Sequence, residues 1–267
     1  MEERNLVRKQ AFEIFLKRFP IIMLMMIIYV AITTTLNFLI NAFNKSMGIP
    51  ILQVVTSLIT VYVFFQLLYG LNRTLLRINN GEKITNLVEF LKDAKSRLGA
   101  PLYCIIRIII TALVYVIAIV LIGSVAMSIA RTAVPDNPQL MESLLKFTTI
   151  VALFVTIIKV IPYEFSFFIL AEDNNKSISG KQALKRSKSL LKNHIIDYIM
   201  LLLPIVGLFM IFVIIIALLD RFVSFSQNTI LFYGVTILLE AFFTPIVRLV
   251  EINYYNLLNS GVDSNDK

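Results

Sequence analysis

The stretch IIDYIMLLLPIVGLFMIFVIIIALL, residues 195–219, decides the fold, because its twenty-five residues carry a single charge, Asp197. The hydrocarbon core of a bilayer is about 30 Å thick and a helix rises about 1.5 Å per residue, so roughly 20 apolar residues cross it. This run is long enough to span a membrane. Similar runs lie at approximately residues 20–41, 51–71, 101–129, 146–171 and 229–250. The chain therefore reads as an all-α integral membrane protein with about six transmembrane helices.

Composition agrees. Among the 267 residues, 58% are hydrophobic and 16% charged, and the mean hydropathy of +0.81 does not suit a surface in water. The single cysteine, Cys104, excludes an intrachain disulfide and a thiolate metal cluster; inside an apolar run it reads as a small packing residue. The first run follows Arg4, Arg8, Lys9, Lys17 and Arg18 like the start of a secretory signal. Its length and the lack of a small-x-small cleavage site instead suit a retained helix.

The net charge of +8 is spread over short segments between the apolar runs, without the interleaved aromatics of a nucleic-acid surface. It reads as a topology signal and as contacts to anionic lipid. Five Lys or Arg precede the first span, six lie from Arg73 to Arg97, six from Lys176 to Lys192, and one is Lys267. The other side offers Lys45, Arg131, Lys146 and Arg221. Cytoplasmic loops retain positive charge, so both termini are expected in the cytoplasm. The outer loops, 42–50, 131–146 and 220–228, are too short for an extracellular domain.

The segments RKQAFEIFLKR, LVEFLKDAKSRLG and GKQALKRSKSLLKNH each stand before a pair of spans. Residues 1–267 thus read as one membrane domain of three hairpins, each preceded by a short basic amphipathic interfacial helix, with repeat units 1–71, 84–171 and 177–257. In the third unit Lys181, Lys185, Lys188 and Lys192 are spaced 4, 3 and 4 apart, which puts four ammonium groups on one helical face. Ser177 or Ser179 is placed to cap that helix. Its lysines suit anionic headgroups; the plainer account is a topology signal and a solvated face.

No glycine-rich phosphate loop, HExxH, GxSxG or paired CxxC occurs. His194, the only histidine, has no second His or Cys ligand nearby and reads as a headgroup-level residue. No metal or cofactor is expected. The ionisable residues inside spans, Arg107, Lys159, Glu164, Glu240 and Arg248, are the functional candidates, because charge at membrane depth costs about 3 kcal/mol and demands a partner. Arg248 can pair with Glu251, leaving Glu240 to seek Lys159 or Arg107 on another helix. The set reads either as structural glue or as a proton or ion relay. Pro162, Pro204 and Pro245 fall inside spans and bend them.

The stretch IPYEFSFFILAEDNNKSISGKQALKRSKSLLKNHIIDYIMLLL, residues 161–203, with GLNRTLLRINNGEKITNLVEFL upstream, resembles uncharacterised bacterial membrane proteins. They are related to the membrane domain joined to some glycerophosphodiester phosphodiesterases and to allied domains of unknown function. The resemblance implies an all-helical bundle of about six spans in a bacterial cytoplasmic membrane. It implies no hydrolase, since the phosphodiesterase catalytic domain and its His-Arg start are missing.

Three functions are then compatible with the sequence. The leading one is a non-enzymatic membrane protein that binds or organises partner proteins, peptides or lipids. The second is a small transporter or a peptide export or immunity protein, working through Lys159, Glu164 and Glu240. The third is a membrane-embedded lipid-modifying enzyme using Glu164 or Glu240 with Lys159 or Arg107.

Overall fold

A computed structural model describes residues 2–47, 50–84, 88–133, 138–223 and 229–265. The helices are α1 (Glu2–Lys17), α2 (Phe19–Met47), α3 (Pro50–Asn79), α4 (Val88–Lys95), α5 (Gly99–Ala133) and α6 (Pro138–Val160). A 3₁₀ turn, Ile161–Tyr163, leads to α7 (Ser166–Glu172), α8 (Gly180–Leu191), α9 (Ile195–Val223) and α10 (Thr229–Asn265). No strand occurs among the described residues.

Among the described residues five segments are long and apolar enough to cross a membrane: Phe19–Phe43, Ile51–Asn79, Gly99–Ala130, Met141–Glu172 and Ile195–Leu218. The sixth run expected from the sequence forms α10 but is not among them. Two boundaries differ from the expected ones for clear reasons. First, α3 runs two turns beyond residue 71 before a Schellman turn ends it. There Gly81 sits at φ 87°, its amide donates to Ile78 O, and the Glu82 amide donates to Arg77 O. Second, the expected span 146–171 is broken rather than merely bent. Pro162 has no amide to donate to the turn behind it, and the chain tightens into a 3₁₀ turn before α7 starts. By contrast α9 and α10 continue through Pro204 and Pro245.

The core lies at one end of the bundle, the end that bears the lysine- and arginine-rich segments. It is built from Val7, Ala11 and Phe15 of α1, the start of α2, the end of α3, α4, the first turns of α5, α7, α8, the start of α9 and the second half of α10. At its centre Phe165, the N-cap of α7, meets Tyr198 of α9 and Tyr254 and Tyr255 of α10 edge to face, and Phe168 of α7 packs at a tilt against Tyr255. The other ends of the long helices expose large apolar side chains such as Leu58, Leu121, Ile122, Phe147, Ile150 and Ile214. Apolar surface this continuous is unfavourable in water and natural against lipid.

The short helices follow one packing rule. Each packs on the last helix of the group before it: α4 on α3, and α8 on the 3₁₀ turn and α7. Helix α1 closes the circle on α10.

Candidate functional site

Two polar centres lie within this core, and one basic face lies on its surface. The deeper centre surrounds Arg248 of α10. Its Nη1 donates to Glu164 Oε1, just before α7, and to Glu251 Oε2 at 2.7 Å, one turn along α10. Tyr198 Oη, on α9, donates to the other oxygen of Glu251 at 2.6 Å. Three helical segments far apart in the chain are thereby tied together. The two carboxylates outnumber the one guanidinium. Beside the cluster, Ile205, Val206 and Phe209 of α9 and Phe243, Thr244 and Val247 of α10 line a cavity of about 270 Å³ that reaches Arg248.

The second centre fastens α4 and the turn before α8. Asp93 of α4 accepts from Thr74 at 2.9 Å and from Arg77 at 3.1 Å, with Arg73 at 3.4 Å, all on α3. Gln66 Nε2 donates to the carbonyls of Ala94 and Arg97. Arg97 Nη1 then donates to Asp173 Oδ2 at 3.0 Å and to Leu170 O, and Nη2 donates to Ile178 O. Burial alone would raise the Asp173 pKa. Hydrogen bonds from the Ile178 amide, from Arg97 and from Ser177 outweigh it and hold the carboxyl below the ordinary carboxylate range.

The basic face is on α8. Ser179 caps the helix in a reciprocal box with Gln182, the arrangement in which side chain and backbone satisfy each other's first-turn donors. Ala183, Leu184, Ser187, Leu190 and Leu191 are buried against the core, and Ser187 Oγ donates to Pro162 O at 2.8 Å. Lys181, Lys185, Lys188 and Lys192 all point outward and are exposed. None of the four has an ion pair among the described residues.

The remaining candidates are scattered. Arg107 is exposed on α5 and has no ion pair among the described residues. Lys159, at the end of α6, lies 5.6 Å from the centre of the Tyr115 ring on α5. Glu240 is exposed on α10 without an ion pair among the described residues. The expected pairing of Glu240 with Lys159 or Arg107 is therefore corrected. Helix α6 packs on α5, while α10 packs on α1, α2, α3 and α9, so these charges stand on different sides of the bundle. His194 contacts Asp197 at 3.9 Å. Among the described residues no cluster of His, Cys, Asp or Glu is arranged to hold a metal ion.

Sequence reading missed Asp93, Arg97, Asp173 and Tyr198. Only their placement in polar segments or near a span end could have marked them. No family model, curated protein or solved structure matches the chain. What the helices define is a class: an all-helical protein of the multi-pass membrane type, with its packed core and its buried ion pairs gathered at one end.

Proposed function

We propose that this is a non-enzymatic protein of a bacterial cytoplasmic membrane that binds and organises lipids, peptides or partner proteins at the cytoplasmic surface. On this reading both termini are cytoplasmic and α10 is a sixth span. The three short helices α1, α4 and α8 lie at the interface, one before each pair of long helices. Their circular packing supports the three-unit reading of the chain.

The observation that carries the proposal is a division of labour between the cations. Arg73, Arg77, Arg97 and Arg248 are committed to carboxylates inside the protein. Lys181, Lys185 and Lys188 of α8 and Lys192 at its C-cap are held in one row by a capped, packed helix and left facing outward. Near an anionic membrane surface each such charge contributes about 1 kcal/mol to attraction. The test is a pull-down from native membranes in mild detergent, with proteins and lipids identified together by mass spectrometry. A companion sample carries Lys181, Lys185, Lys188 and Lys192 changed to Gln. A partner or anionic lipid lost from that sample supports the proposal; equal recovery from both refutes it.

A second reading, a small transporter or export or immunity protein, is favoured by Glu240, an exposed carboxylate at membrane depth without an ion pair among the described residues. On that reading proteoliposomes conduct protons, read by a trapped pH-sensitive dye, and Glu240→Gln abolishes the flux without unfolding the protein. Absence of any flux above empty vesicles rejects it.

A further inference from the structure

We infer that the groove between the start of α5 and the start of α8 binds the phosphate headgroup of an anionic glycerophospholipid whose acyl chain lies along α5. The inference rests on the reading that these helix starts face the cytoplasmic leaflet, and it assigns that reading a specific site.

The groove has a volume of about 510 Å³, and Arg97, Tyr103, Lys176, Ser177, Ser179 and Lys181 are among its lining residues. Its charge is unbalanced. Arg97 is neutralised by Asp173, but Lys176 and Lys181 are exposed and have no ion pair among the described residues, and no lining residue is a carboxylate. Both serine hydroxyls are already engaged, Ser177 with Asp173 and Ser179 with Gln182. The first turns of α5 and α8 both line the groove, which adds the positive ends of two helices. Like charges converge here without a counter-charge from the protein, so an anion from outside is the group that balances them.

The surface of α5 decides between a lipid and a free phosphate. Tyr103, Ile106, Ile110, Leu113, Val114 and Ile117 are all exposed and recur every three or four residues. They make one apolar stripe that starts at the groove and runs down a helix able to cross the membrane. A soluble phosphate uses none of it; an acyl chain covers it.

Arg107 lies on the same stripe, one turn beyond Tyr103. Side chains on a helix lean toward its N-terminus, so this guanidinium reaches back toward the headgroup level while its stem stays among the apolar residues. A charge that has no ion pair among the described residues thus gains an anionic partner.

The experiment uses the full-length protein, delipidated in a non-ionic detergent and titrated by native mass spectrometry. The probes are short-chain phosphatidylglycerol, phosphatidylcholine of the same chain length, and inorganic phosphate as competitor. Phosphatidylglycerol is expected to bind in preference to phosphatidylcholine and to resist millimolar phosphate. Lys176→Gln with Lys181→Gln weakens it on the order of 30-fold, as two surface charges imply, and Arg107→Gln weakens it further. Lys176→Arg with Lys181→Arg retains it, as does the Lys188→Gln, Lys192→Gln control, and thermal midpoints show that each variant folds.

Unchanged affinity in a folded groove variant overturns the inference. So does equal affinity for phosphatidylcholine, or displacement of the lipid by phosphate alone. If the groove variants bind normally while the full set of α8 lysine changes abolishes recovery of lipid or partner, the groove fails and the proposed function stands. If neither set loses anything, both fail.

Discussion

The Arg97 guanidinium and the Asp173 carboxylate meet at 3.0 Å with only 8% and 6% of their side chains exposed, which ties the segment after α4 to the end of α7, where Asp173 also holds Ser177 and the Ile178 amide ahead of α8. Because α8 presents the lysine row, this buried pair sets where that row stands. Removing one partner leaves the other charge buried and unpaired, at a cost of about 3 kcal/mol or more. Arg97→Ala and Asp173→Ala are each expected to lower the thermal midpoint in detergent by several degrees. The double variant should lose less than the sum of the two. Additive losses would show that the pair is not coupled.

The same carboxylate sets a pH dependence. Asp173 is held below its ordinary range in the folded protein, so its contribution to stability is present above the unfolded carboxylate value of about 3.9 and is lost as the pH falls through the folded value. The difference in thermal midpoint between wild type and Asp173→Asn should therefore be constant from pH 7 to about pH 5 and shrink at more acidic pH. A difference that instead grows with acid contradicts the assignment.

Helix α4 approaches α3 at Gly70, where an added Cβ would lie 2.6 Å from the Cβ of Ala94 and 2.7 Å from its backbone. The clash is with main chain, which cannot step aside. Gly70→Val is expected to separate the two helices and to reduce the yield of folded protein. Gly207→Ala, in α9, meets nothing within 4 Å and should be neutral or stabilising by up to about 1 kcal/mol, since alanine is the better helix former. Equal behaviour of the two variants would count against the α3–α4 contact.

Among the charges within the long helices, Arg248 and Glu240 should behave oppositely. Arg248→Met leaves Glu164 and Glu251 facing each other in the core without their cation, and it is expected to destabilise the protein severely. Glu240→Gln leaves no ion pair behind among the described residues and should keep the wild-type midpoint. Thermal unfolding followed by circular dichroism separates the two; a larger loss for Glu240→Gln would reverse the assignment of structural and surface roles.

The long apolar runs were legible in the sequence because a bilayer imposes one length and one polarity on anything that crosses it. The α8 lysine row was legible for a similar reason, since a spacing of 4, 3 and 4 maps directly onto one face of a helix; its start was narrowed only to Ser177 or Ser179, and the structure places the cap at Ser179 through its reciprocal bonds with Gln182. The Arg248–Glu251 pair lies within one turn and follows from spacing as well. The partner Glu164 does not, because 84 residues separate it from Arg248 and only the folded bundle joins them. Asp93 and Arg97 looked like ordinary surface charges in a short basic segment; their burial is decided by α3, which continues past Asn72 and Arg73 where polarity suggested that the helix should stop. The break at Pro162 was partly legible, since proline predicts a bend but not a 3₁₀ turn that restarts as a new helix.

The proposed function requires the lysine row of α8 to stand at the cytoplasmic surface of a membrane that the chain crosses several times. It is tested most directly by side-selective labelling of a single cysteine placed at Lys188 in a Cys104→Ala background, using a membrane-impermeant maleimide. No labelling is expected in intact cells and full labelling in inverted membrane vesicles. Labelling from outside intact cells would contradict it.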